Sequence, residues 1–289
     1  MFVLHTLGGV PLAPPPREVP TEIGRGAAWR RTRRTMMDLA THILVNVGML
    51  NPLFSIPFLN QDVLRIDWLH CMDLGAGADF LGGVLWVCMQ KMPGANVEAR
   101  ADSMWQDIQR YYAAHGINNS CLHGFVPTTV RPKASKPPKL RASAGVVRHL
   151  IPYSKELVDR FCTGGDPQEM AMRAGAHSLC ECYMALRTDS IFKKDTLHDH
   201  SILFCLQYSF LHRNYGQVWR MKPKTHLFLE LGLEAAAGGQ PETCWTYRDE
   251  DFGGTCAHFA RRRGAPCTVP GFSHAVITRF MQRRFIYVN

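Results

Sequence analysis

The 289-residue chain lacks the short signatures of the commonest catalytic machineries. It has no Gly-x-x-x-x-Gly-Lys-Ser/Thr phosphate loop and no Gly-x-Ser-x-Gly nucleophile elbow, so nucleotide hydrolysis and hydrolase chemistry of those types have no support. No Cys-x-x-Cys pair occurs among its ten cysteines. Their spacing is too irregular, and the chain too long, for a disulfide framework. Cys71, Cys88, Cys180 and Cys205 sit among apolar residues, where a reduced thiol packs as a small hydrophobe. Cys180 and Cys182 would point to different sides of a helix. A reducing compartment, cytoplasm or nucleus, is the expectation.

Long apolar runs are also wanting. The nearest approach to the roughly 18 residues a membrane span needs is 39–59, which His42, Asn46, Asn51, Pro52 and Pro57 interrupt. That stretch reads as a buried helix followed by a loop, and no membrane association is expected. Residues 2–12 are mildly apolar but carry no basic flank and run into Pro14-Pro15-Pro16, so a secretory signal is not expected. Internal repeats are absent. Acidic residues are scarce: 24 Asp and Glu stand against 33 Lys and Arg, a formal net charge of +9. Such a surplus favours a polyanionic partner such as nucleic acid or acidic lipid headgroups, without choosing between them.

What is present is ordinary globular sequence. A hydrophobic fraction of 46% with 20% charge argues against wholesale disorder. Residues 1–26 are rich in Pro and Gly and are expected to be a disordered tail, with 27–289 a single mainly helical domain. A helix is predicted over 27–49, opening on Trp29-Arg30-Arg31-Thr32-Arg33-Arg34. Arg30, Arg31, Arg33 and Arg34 suit phosphate contacts or a nuclear address, and equally a solvated helix start. Short strands are expected near 63–67 and 243–248. Apolar residues at helical spacing predict helices over 97–115, 142–162, 167–188 and 195–214. The apolar positions singled out are Leu157 and Phe161, then Met172, Leu179 and Tyr183, then Leu203, Leu206 and Phe210. Between them, 127–141 reads as a proline-rich basic connector. Gly75, Gly77, Gly82 and Gly83 would admit a close neighbour, either a helix or a ligand.

Two phrases carry the chemical interest. The first is Asp67-Trp68-Leu69-His70 with Asp73, Asp79, Gly82 and Leu85 downstream; the second is Lys222-Pro223-Lys224-Thr225-His226, a helix, a glycine turn, and Trp245 to Gly254 with Glu250 inside it. In this order they resemble the second and third acidic segments of CACTA-type DDE transposases, and a related family expanded in protist genomes. The resemblance spans about residues 50 to 285 and implies a partial RNase H-like core (60–92 and 219–263) carrying a large helical insertion (97–214). It implies that Asp67 matches the second catalytic aspartate and Glu250 the glutamate, with Asp73 an alternative to Asp67. Asp67 and Glu250 would then be metal ligands, with His70 and His226 positioning the site and Arg261, Arg262 and Arg263 on DNA. Enzymes of this class use two Mg²⁺ or Mn²⁺ ions about 3.5–4 Å apart, held by carboxylates.

One element of that pattern is missing. The first catalytic aspartate should lie on a strand upstream of Asp67, yet Asp38 is the only acid between Glu22 and Asp62, inside a helical stretch. The resemblance therefore implies a truncated, inactive DNA-binding relative with no cofactor. Other readings stay open beside it. Asp67 and Asp73 equally suit helix caps, and Glu250 with Arg248, Asp249 and Asp251 a charged turn. His198, His200 and Cys205 or His212 offer a zinc alternative of non-standard spacing. A non-catalytic nucleic-acid-binding protein and a helical scaffold for protein partners complete the set.

Overall fold

Asp67 is where the chain turns into its helical body. The structure, a computed structural model, describes residues 65–186, 191–236 and 239–247, with isolated positions at 41, 44, 45, 253 and 254. Two units divide the chain, Met1–Cys244 and Trp245–Asn289. In the second, the described residues include Trp245 and Tyr247, whose rings meet edge-on. All that follows concerns the first.

Among the described residues the fold is mainly helical and no strand forms. Residues 65–67, expected as the end of a strand, are irregular. The physical reason is local: the Asp67 carboxylate accepts the His70 N–H at 3.0 Å and its carbonyl accepts the Cys71 N–H at 3.0 Å, so the extended path ends in a helix cap. The other expected strand, 243–248, does not form over its described residues: a 3₁₀ turn, Pro241–Thr243, leads into it and 244–247 carry no strand.

A π-helical segment, Leu69–Ala76, breaks at Gly75 (φ −118°, ψ −115°) and continues as α1, Gly77–Met89. The joint run Leu69–Met89 is apolar and long enough by composition to cross a bilayer, with a mean hydropathy of 1.3 in its most apolar window, 83% of which is buried inside the fold. The expectation that no stretch reaches that threshold is thereby corrected. A helix apolar on every side has to be covered on every side, and here the covering is other helices.

Those helices follow in chain order: α2 (Val97–Ala114), a single turn α3 (Pro127–Val130), α4 (Ala144–Phe161), α5 (Pro167–Ala185), α6 (Lys194–Asn214) and α7 (Pro223–Ala236). The expected boundaries of α2, α4, α5 and α6 hold within three residues. Starts are set by recognisable caps. Asn96 accepts the Ala99 N–H at 2.8 Å, and Asp166 accepts that of Glu169 at 3.1 Å with Pro167 in the first turn. α4 packs on α1 and α5, α5 on α6, α6 on α7, and α7 returns to the π-helical segment. Aromatic rings fill the enclosed space: Phe80 meets Phe204, Tyr208 and Trp219, while Trp68 meets Tyr183 and Phe228 edge-on.

Two expectations about burial are corrected. Leu203, Leu206 and Phe210, read as inward positions of α6, are exposed; Leu197, Phe204, Cys205, Tyr208 and Leu211 face the core instead. Of the helix over 27–49, positions 41, 44 and 45 are described. They are helical, but Leu44 and Val45 are exposed rather than buried. The 127–141 connector is less free than its prolines suggest, because Leu140 is buried and its N–H bonds Ala78 O at 3.0 Å. Gly82 makes this approach possible, since a Cβ there would stand 2.4 Å from Lys139 Cα and 2.5 Å from Leu140 N.

Candidate functional site

The two phrases singled out in the sequence lie some 150 residues apart, and α7 brings them into contact. Lys224 Nζ donates to His70 O at 2.8 Å, Cys71 Sγ to Lys224 O at 3.3 Å, and Lys222 Nζ to Asp79 Oδ1 at 2.7 Å. A third lysine arrives from the connector. Lys139 Nζ donates to Leu74 O at 3.0 Å and lies 3.6 Å from Asp79 Oδ1. The carbonyls of His70 and Leu74 belong to the π-helical segment just before the break at Gly75, so lysines solvate this irregular turn from outside. Gly75 is needed for that, because a Cβ there would meet Lys224 Cδ at 2.6 Å.

Charge at this junction does not balance. Asp79 is nearly buried and, among the described residues, is the one carboxylate shown paired to the cluster, against three ammonium groups. Lys139 registers the surplus: burial holds its ammonium below the usual lysine pKa, with Lys222 and Lys224 adding to the effect and Asp79 opposing it. The side chains of Lys139 and Lys222 are 39% and 45% exposed, so the surplus faces solvent.

Asp67 and His70 form a pair at the edge of this junction. The Asp67 carboxylate accepts both the backbone N–H and the Nδ1–H of His70 on the same oxygen, which holds the imidazole in place. His226, in the first turns of α7, is half-buried, and desolvation keeps it below the ordinary histidine pKa and favours the neutral ring.

Asp73 is placed differently. It is fully buried, and Tyr183 on α5 donates its hydroxyl to Oδ1. Oδ2 and the nearby Trp68 Nε1 are both buried without a partner of hydrogen-bonding geometry. Desolvation pushes the carboxyl up to about 7, outweighing Tyr183 and the charge of Arg148. Asp73 therefore faces the core and not the surface that Asp67 occupies.

The described donor set does not suit a divalent metal. Among the described residues no three His, Cys, Asp or Glu side chains converge. Asp67 is engaged with His70, and Asp79 with lysines. The zinc alternative meets the same finding: Cys205 is buried against Thr225 O, His212 Nδ1 approaches Trp219 O, and His198 Nδ1 approaches Asp199. Glu250, the arginines at 30, 31, 33 and 34, and Arg261, Arg262 and Arg263 lie outside the described residues. All eight described cysteines are unpaired. A cavity of about 350 Å³ adjoins the approach to Asp67, lined among others by Arg65, Leu231, Glu234 and Cys244.

Sequence reading missed Lys139 as part of this junction. A signal existed: Leu140 is a lone large aliphatic residue in a basic, proline-rich run, and an apolar residue so placed marks a point where a connector touches the core. No protein-family model, no curated protein and no solved structure matches this chain.

Proposed function

We propose that this chain is a DNA-binding protein derived from a DDE-type transposase, one that grips the phosphate backbone and has lost strand-transfer chemistry. In this reading 60–92 and 219–263 are the remnant of an RNase H-like core, and 97–214 is its helical insertion. The observation that carries the proposal is the junction of the two phrases, where two half-exposed lysines pair with the Asp79 carboxylate and a third, Lys224, bonds the His70 carbonyl. Lysine is a compact point charge suited to phosphate. Exposed Lys133, Lys136 and Arg141 on the same connector extend the basic surface.

The test is binding of the purified chain to a fluorescent duplex across a salt series. Log affinity should fall linearly with log salt, because each neutralised phosphate releases counterions. Absence of binding at low salt would sink the proposal. Added Mn²⁺ should produce no strand cleavage, and cleavage that Glu250→Gln abolishes would overturn the inactive half. A second reading, a helical scaffold for protein partners, is favoured by the exposed apolar residues Leu203, Leu206 and Phe210 of α6.

A further inference from the structure

α6 is apolar on two opposite sides. Leu197, Phe204, Tyr208 and Leu211 face the core, and every one is buried. At about 100° per residue, Asp195, Asp199, Ile202, Leu203, Leu206, Phe210 and Arg213 fall within one stripe about 100° wide, on the reverse of the helix. Leu203, Leu206 and Phe210 are 44%, 48% and 40% exposed. Ile202 is half-buried among them, and Asp195, Asp199 and Arg213 are exposed. A helix with two apolar faces needs two coverings, and the described residues supply one.

The order of charges along the stripe says what fits the other. Acids stand at its N-terminal end, aliphatic and aromatic residues in the middle, and a base at its C-terminal end. This order is self-complementary when the helix is turned end for end, and self-repelling when two copies run parallel. We infer that the outer face of α6 is an interface on which a second copy of this chain docks antiparallel, about a twofold axis at Leu206. Leu206 then meets Leu206 of the second copy, Leu203 and Ile202 meet its Phe210, and Asp199 meets its Arg213. The antiparallel arrangement also opposes the two helix dipoles favourably. An isologous contact of this kind closes on itself as a dimer. The inference is independent of DNA binding, because the lysine junction plays no part in it.

Light scattering and sedimentation of the full chain without DNA test it. At tens of micromolar the mass should be twice 32.6 kDa. Leu206→Asp should leave helicity by circular dichroism unchanged, because the side chain is exposed, and should weaken dimerisation at least about thirtyfold. Asp199→Arg and Arg213→Asp should each weaken the dimer, and the double exchange should restore it. Leu206→Cys should cross-link to its counterpart on oxidation, while Leu203→Cys, off the axis, should not. A monomer at every concentration overturns the inference, whether another segment or a different protein then covers the stripe. So does a dimer that Leu206→Asp leaves intact.

Discussion

A carboxyl group enclosed by helices and held by one tyrosine hydroxyl makes stability depend on pH. Asp73 has an ordinary value of 3.8 when the chain is unfolded and about 7 when folded. The folded state therefore keeps its proton where the unfolded state has lost it. Stability linked to this group is fully present below about pH 4, declines as pH rises towards 7, and stays low above that. Asp73→Asn removes the ionisation, so the variant should be more stable than the parent at pH 8, by roughly 2 kcal/mol or more. That advantage should shrink towards pH 4.5. Urea denaturation at the two pH values measures it, and a difference that does not vary with pH would refute the assignment. Nothing in the sequence around Asp73 announces this. Asp67, an aspartate six residues earlier, ends as a helix cap, and the contrast comes from the burial of Asp73 beneath α5, whose Tyr183 is 110 residues away.

At the scale of the element, the central run Leu69–Met89 depends on what its glycines leave out. Gly82 lets the backbone of Lys139 and Leu140 lie against α1, and Gly83 lets the Trp219 ring do so, within 2.4–2.8 Å of where a Cβ would stand. Alanine is the better helix former by about 1 kcal/mol, so an isolated helix would gain from Gly82→Ala. In the folded protein the Cβ would meet backbone atoms that cannot rotate away, and the expected outcome is a net loss of about 2–4 kcal/mol. A thermal melt decides the sign; a rise in Tm would show that the connector is not seated on α1. Gly82 and Gly83 were legible as points of close approach. Which segment approaches was not, because a connector rich in proline and lysine has no periodicity from which to infer a docking face.

For the whole molecule, the proposed DNA binding makes the charge surplus the variable to test. Replacing Lys133, Lys136 and Arg141 together by alanine should reduce the salt slope of DNA binding by about 3 while leaving the fold intact, since all three are exposed. An unchanged slope would remove the connector from the interface. The helical class, the extent of α2, α4, α5 and α6, and the positive charge were determined by sequence, because helical periodicity, caps such as Asn96 and Asp166, and net charge are local or additive properties. Only tertiary structure decided which stripe of α6 faces inward, because Leu203, Leu206 and Phe210 obey the helical period as well as Leu197, Phe204 and Leu211 do. It also decided that residues 65–67 lead into a helix, and that Lys139 and Lys222 share the Asp79 carboxylate while Lys224 bonds the His70 carbonyl beside it. Pairings of that kind depend on how α7 and the connector pack on the central helix, and contacts across more than a hundred residues leave no mark in a local pattern.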